Sequence, residues 1–219
     1  MRRYAPFIIV GLVAALAIGA GTVFYRAKVA GNPVLRISKE NSDSKETGHV
    51  LGPAEASVTI EEYGDFQCPP CGKLSEPIND LQKKHNLRVI FREFPLPMHA
   101  HAREAASAAE AAGLQGRFWQ MHDLLFKEQA VWSNAPDAQA LFAGYAGMLQ
   151  LDVERFKRDV ASPEVIQKID EDQRRGAQLG VRTTPTIFVN NQAVPVEDLK
   201  PENFSVYVDK AVQNSKPSS

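Results

Sequence analysis

Cysteine is nearly missing from this sequence, with only two among 219 residues. That excludes a disulfide framework, because stapling distant segments together takes several pairs spread along the chain. A surplus of either charge is missing too: Lys and Arg number 25 against 26 Asp and Glu. With no long block of one sign, the chain lacks the electrostatic footprint of a nucleic-acid-binding protein. There are no internal repeats or low-complexity tracts, which excludes solenoids and arrays. What is left, at 44% hydrophobic and 23% charged, is ordinary globular material sized for one domain with appendages.

Long apolar runs are absent except at the start. After Arg2 and Arg3, residues 4–25 carry no charge. As a helix rising about 1.5 Å per residue they match the ~30 Å hydrocarbon core of a bilayer. The run reads as a single-pass transmembrane anchor whose positive start stays cytoplasmic. The alternative is a cleaved signal segment, with Ala17-Ile18-Gly19 as a small-x-small site. Both readings export the remainder to an oxidising compartment, where a dithiol pair can hold a disulfide. Residues 26–55, with Gly31-Asn32-Pro33 and the stretch SKENSDSKETG, read as a polar linker.

From Ser57 the pattern changes. Ser57 to Tyr63 has strand composition, with Val58, Ile60 and Glu62 on one face and Thr59, Glu61 and Tyr63 on the other. A helix follows, since Leu74, Ile78, Leu81 and His85 recur at helical spacing, with Pro77 expected to kink it and Lys83-Lys84 suited to its C-terminus. Arg88 to Phe94 is a second strand, stopped by Pro95 and Pro97. Residues 99–179 then read as an insertion of five helices. Asp152 is placed to cap one of them, and Ser162-Pro163 supplies a cap and a first-turn proline for the last. Thr186 to Val189 and Gln192 to Val196 form a hairpin around Asn190-Asn191, and a helix from Pro201 to Val212 closes the chain before a frayed tail at 214–219. Strands interrupted by a helical insertion make an α/β domain over residues 56–213.

The two cysteines stand as Cys68-Pro69-Pro70-Cys71. A four-residue loop contributes little chain-entropy stabilisation, so the pair reads as chemistry and not as scaffolding. Disulfide exchange needs a thiolate that attacks and a second thiol near enough to resolve the mixed disulfide. At a strand-to-helix junction Cys68 is the N-cap, where the helix N-terminus favours its ionised form, and Cys71 sits one turn in. Neither Pro69 nor Pro70 has an N–H. The thiolate therefore depends on donors at Cys71 and Gly72, and its pKa is expected to fall less than with a donor at position 70. Glu62 lies on an apolar face, where a carboxyl must find a partner or stay protonated. It is the candidate to shuttle the Cys71 proton. The rival reading is a copper or zinc module in which His99 and His101 join the cysteines. Trp119, Trp132, His99 and His122 otherwise read as packing or capping residues.

GDFQCPPC, EFPLPMHAHAREAA, QGRFWQMHDLLF and GVRTTPTIFVN occur in that order, and together they resemble the DsbA-like branch of the thioredoxin superfamily over about Gly52 to Val212. The resemblance implies a thioredoxin-like fold with a helical insertion, Cys68 as attacking thiol and Cys71 as resolver. It further implies Glu62 as the buried acid, a cis Pro185 facing the dithiol, and Thr184 pairing through its backbone with substrate, which also passes over Pro69 and Pro70. The implied activity is disulfide exchange with exported cysteine-containing proteins, foremost as an oxidase and alternatively as a reductase or isomerase, with no bound cofactor. The implied setting is the periplasmic side of a bacterial inner membrane, beside a quinone-linked or vitamin K epoxide reductase-like partner. Pro70 and Thr183 depart from the residues common in that branch.

Overall fold

The computed structural model describes residues 48–215. The expected anchor at 1–25, most of the linker and residues 216–219 of the tail lie outside the described residues. Among the described residues, no helix is long and apolar enough to cross a membrane.

Five strands form one sheet: β1 (His49–Leu51), β2 (Thr59–Gly64), β3 (Arg88–Glu93), β4 (Thr186–Val189) and β5 (Gln192–Ala193). Their order is β1-β3-β2-β4-β5. β2 and β3 are parallel, joined through α1 (Pro69–His85), while the remaining pairs are antiparallel. The crossover helix is required because parallel neighbours cannot be joined by a tight turn. α1 runs on through Pro77 and ends where Asn86 turns left-handed, its N–H bonded to the Gln82 carbonyl.

Composition assigned His49–Leu51 to the linker, and here the expectation is corrected. These residues pair with Val89 to Phe91 as an edge strand, held from the side by a hydrogen bond from the Trp119 indole to the Val50 carbonyl. Three residues are too few to show alternation, so only the tertiary partner reveals them. The return strand β5 is also shorter than expected, because Pro195 ends the ladder soon after it. Asn190 and Asn191 both have positive φ, as a two-residue hairpin turn demands.

Between β3 and β4 stand six helices where five were expected: α2 (Ala102–Gly113), α3 (Phe118–Lys127), α4 (Gln129–Trp132), α5 (Ala138–Met148), α6 (Val153–Asp159) and α7 (Pro163–Gln178). The added one, α4, is a single turn that no periodicity could announce. Asp152 and Ser162 cap α6 and α7 as their positions suggested, through the N–H groups of Arg155 and Val165. A last helix, α8 (Pro201–Asn214), ends the described chain.

The sheet is buried on both faces. On one, Ile60, Val89, Ile187 and Val189 pack with Leu74 and Ile78 of α1 and Phe204 and Val208 of α8. On the other, Tyr63 and Phe188 pack with Phe94, Leu179 and Val181. α2 is buried nearly all round, and its small alanines let Phe118, Phe126, Phe142 and Phe156 close over it. That cluster also contains Phe66, Cys68 and Cys71, so the insertion's core is continuous with the dithiol.

Candidate active site

β2 is the central strand, and the chain leaves it through Gly64-Asp65-Phe66-Gln67 directly into α1. Gly64 must lack a side chain: a Cβ there would come within 2.4 Å of the Phe91 ring. Asp65 then organises the turn. Its buried carboxylate accepts from the Gln67 N–H at 2.7 Å, the Leu96 N–H at 2.8 Å and the His99 ring at 2.7 Å. Three donors on one carboxylate tie the loop after β3 to the turn that precedes the cysteines.

Cys68 is the N-cap of α1, with extended backbone, and Pro69 and Pro70 occupy the first helical positions. Proline is tolerated there because those N–H groups have no intrahelical acceptor. Both prolines are exposed. Cys68 and Cys71 are free thiols, both buried, Cys71 completely.

The two sulfurs sit in opposite electrostatic situations. The Cys71 thiol holds the Cys68 pKa down at about 6 by donating to its sulfur, against the effect of burial and with help from the Cys71 N–H. Burial pushes the Cys71 thiol well above the ordinary thiol range, and the neighbouring Cys68 and Glu62 push it further. One sulfur is thus ionised at neutral pH and the other is not, which is the asymmetry an attacking and a resolving thiol require.

Glu62 points into the sheet face that carries Ile60, in register with Phe91 on one side and Ile187 on the other. Burial raises its pKa to about 8 and the charge on Cys68 adds to the rise, while a hydrogen bond with the Cys71 thiol opposes it. One carboxyl oxygen, Oε1, is buried without a hydrogen-bond partner. A carboxyl in that setting keeps its proton near neutral pH and can exchange it with the sulfur beside it.

The fourth element comes from across the chain. The Thr184–Pro185 peptide is cis, Pro185 is buried, and the Cys68 thiol donates to the Thr184 carbonyl at 3.3 Å. Cys68, Cys71, Glu62, Thr184 and Pro185, gathered from three separate segments, therefore meet at one end of β2.

His99 and His101, the residues of the metal reading, are engaged elsewhere, His99 on Asp65 and His101 on Glu104 at 2.8 Å. Among the described residues, no three His, Cys, Asp or Glu side chains are grouped so as to hold a metal ion. His122 is buried in a ring cluster with Phe66, Phe91, Trp119 and Phe126. Trp132 is a fully buried core residue, its indole donating to the Leu125 carbonyl.

Several residues near the site escaped sequence reasoning. Asp65 and Gln67 lie inside GDFQC, so adjacency alone could have flagged them. Gln129 could not have been found, since it reaches the redox turn from the insertion. On the opposite face of β2, Arg92 forms ion pairs with Glu61 and with Asp172, all three buried. Glu93, next in sequence but on the Glu62 face by register, is buried with neither carboxyl oxygen partnered. Alternation placed Glu61 away from Glu62 correctly, but it cannot report that a second layer covers that face as well.

The profile of the family described as Thioredoxin matches residues 44–210. Among curated proteins, a Na(+)/H(+) antiporter NhaA 1 of Salinispora arenicola is 43% identical over 146 residues, 66% of this chain and 22% of that protein. The chain thus spans only about a fifth of the length of the curated relatives it matches. Among solved structures, a thioredoxin-like oxidoreductase from Silicibacter pomeroyi DSS-3 superposes with a TM-score of 0.65 at 26% identity, covering 83% of this chain and 99% of that one. The thiol-disulfide exchange protein alpha-DsbA2 from Wolbachia pipientis gives 0.66 at 18% identity, covering 81% of this chain and 90% of that one, and shares the fold.

Proposed function

We propose that this chain, which belongs to the thioredoxin family, carries a DsbA-type thioredoxin-like domain and is a thiol:disulfide oxidoreductase acting on exported proteins through Cys68 and Cys71. The single observation that carries the proposal is the placement of the two sulfurs, Cys68 at the N-cap of α1 and Cys71 fully buried one turn in, a placement that lowers the Cys68 pKa to about 6 and holds the Cys71 thiol well above its ordinary value.

As an oxidase, the protein starts from the Cys68–Cys71 disulfide. A substrate thiolate attacks the Cys68 sulfur, the bond to Cys71 breaks, and Cys71 leaves with the electron pair and takes a proton from Glu62. A second substrate thiolate attacks the first substrate cysteine's sulfur in the mixed disulfide, forming the substrate disulfide and expelling Cys68 as a thiolate. The substrate has lost two electrons and the protein has gained them. A leaving group that ionises at about pH 6 makes the last step favourable. The exposed Pro69 and Pro70 beside the Thr184 backbone offer an extended substrate a shallow apolar surface and a carbonyl acceptor.

Electrons must then pass to an oxidant. A quinone-linked or vitamin K epoxide reductase-like membrane protein fits a domain tethered by residues 4–25 on the far side of an inner membrane. Reductase and isomerase use the same two sulfurs with electrons flowing in from a donor, and oxidase is favoured because ready ionisation of Cys68 stabilises the reduced state. The test is a pair of assays on the parent and on Cys68→Ser, namely insulin reduction with dithiothreitol and refolding of a reduced, unfolded disulfide protein. The proposal requires the parent to act in both and Cys68→Ser in neither, and activity surviving in Cys68→Ser would overturn it.

A further inference from the structure

The side chain of Gln129, on the single-turn helix α4 of the insertion, lies against the turn that carries Cys68. Its amide nitrogen donates to the Phe66 carbonyl at 2.6 Å and the Cys68 carbonyl at 3.0 Å. The Cys68 carbonyl is already the acceptor of the first helical bond, from the Gly72 N–H at 3.2 Å. Both hydrogens of the Gln129 amide are therefore committed to the redox turn, one on either side of Gln67.

Gln67 returns the connection. Its side chain donates to the Ser133 carbonyl at 2.9 Å and accepts from the His101 N–H at 2.6 Å. The turn and the insertion are thus stitched in both directions, with no charged group in the stitch. A further sign lies at position 72. Glycine in a first helical turn is a poor helix former, costing about 1 kcal/mol relative to alanine. A Cβ on Gly72, however, would approach the Gln129 amide oxygen at 3.0 Å and its nitrogen at 3.2 Å, so the glycine makes room for the amide.

We infer that Gln129 is a positioning residue for disulfide exchange, acting through the Cys68 carbonyl to keep the N-cap and its sulfur in the geometry in which the thiolate is stabilised. The inference rests on the proposed function and deepens it. One N–H of the amide binds the N-cap carbonyl and the other binds the Phe66 carbonyl two residues before it, so the pair fixes the backbone on both sides of Gln67. They also hold Cys68 where the donors of Cys71 reach it.

The experiment is a thiolate titration of the reduced protein by absorbance at 240 nm, with thermal melting recorded alongside. Gln129→Met keeps the length of the side chain and removes both donors. It should raise the Cys68 midpoint by half a pH unit or more, about threefold in the ionisation constant, and lower the fraction of reduced protein in a glutathione buffer by a similar factor. Gly72→Ala retains the amide but displaces it, and should shift the midpoint the same way by less. A midpoint equal to the parent's in Gln129→Met, with or without a lower melting temperature, overturns the inference. Should Gln129→Met fail to fold, a parental midpoint in Gly72→Ala overturns it instead. If the parent shows no Cys68-dependent insulin reduction, the functional reading itself has failed, whichever way the titration falls.

Discussion

Cys68 and Thr184 meet across 116 positions of sequence, the thiol donating to the carbonyl at 3.3 Å. The contact brings the cis-proline loop against the first turn of α1, so that one sulfur is served by two distant segments. Its ionisation therefore depends on the fold and not on the Cys-Pro-Pro-Cys sequence alone.

Iodoacetamide alkylation of Cys68 should follow a titration with its midpoint near pH 6, with Cys71 unreactive throughout. Because Pro70 offers no N–H, Pro70→His should add a donor and move the midpoint lower. A parent midpoint near 9, the ordinary value for a thiol, would contradict the geometry described. A Pro70→His midpoint at or above the parent's would show that backbone donors at that position do not matter.

Glu62→Gln should separate chemistry from stability. Resolution of a mixed disulfide at Cys68 should slow by roughly 10²-fold if the carboxyl moves the Cys71 proton, seen as accumulation of the mixed disulfide in quenched reactions. The folded pKa of Glu62 is raised from 4.5 to about 8. In this window the unfolded carboxyl is ionised while the folded one keeps its proton, so the parent loses stability as pH rises from 4.5 to 8. The glutamine variant should therefore gain stability over the parent, by on the order of 4 kcal/mol at pH 8 and almost nothing at pH 4. Urea melts at the two pH values test the second claim independently of the first.

Glu93, the last residue of β3, is fully buried with both carboxyl oxygens unpartnered. Burial pushes its pKa well above 4.5, and the carboxylates of Glu110 and Asp172 add to the shift while Lys168 opposes it. The sign is that of a raised acid: the parent is penalised progressively above pH 4.5. Glu93→Gln should melt later than the parent at neutral pH, the gap widening by up to about 1.4 kcal/mol per pH unit. A gap that shrinks as pH rises would show that Glu93 is ionised in the folded protein.

Burial lowers the pKa of His122 below its ordinary 6.5, against the pull of Asp123, whose carboxylate is 3.0 Å from the ring. A base with a depressed folded pKa leaves the unfolded chain binding more protons, so its stability contribution is lost as pH falls below 6.5. His122→Phe fits the surrounding ring cluster and should flatten the acid limb of the stability curve. Parallel acid limbs in the two proteins would contradict this.

Much of the site was legible before any fold was known. Cys-x-x-Cys on a strand-to-helix junction and an acidic residue on an apolar strand face are local patterns with local physical causes, whereas the roles of Thr184 and Pro185 were legible only through the resemblance. The caps Asp152 and Ser162 were readable for the same reason, since each satisfies N–H groups only a few residues away. β1 was hidden because three residues carry no period. Glu61 and Arg92 on their strands and Asp172 on its helix were hidden because a charge reads as solvent-facing until a second layer covers it.

What the amino-acid order determined by itself was the chemistry available: two sulfurs one turn apart, a carboxyl beside them, and prolines where donors would otherwise stand. Only the tertiary structure decided how those groups behave, because a pKa answers to desolvation and to neighbours across space. Glu62 holds its proton because sheet and helices exclude water around it. Gln129 reaches Cys68 across 61 positions, an approach that depends on how the helical insertion packs against the turn and that no local pattern encodes.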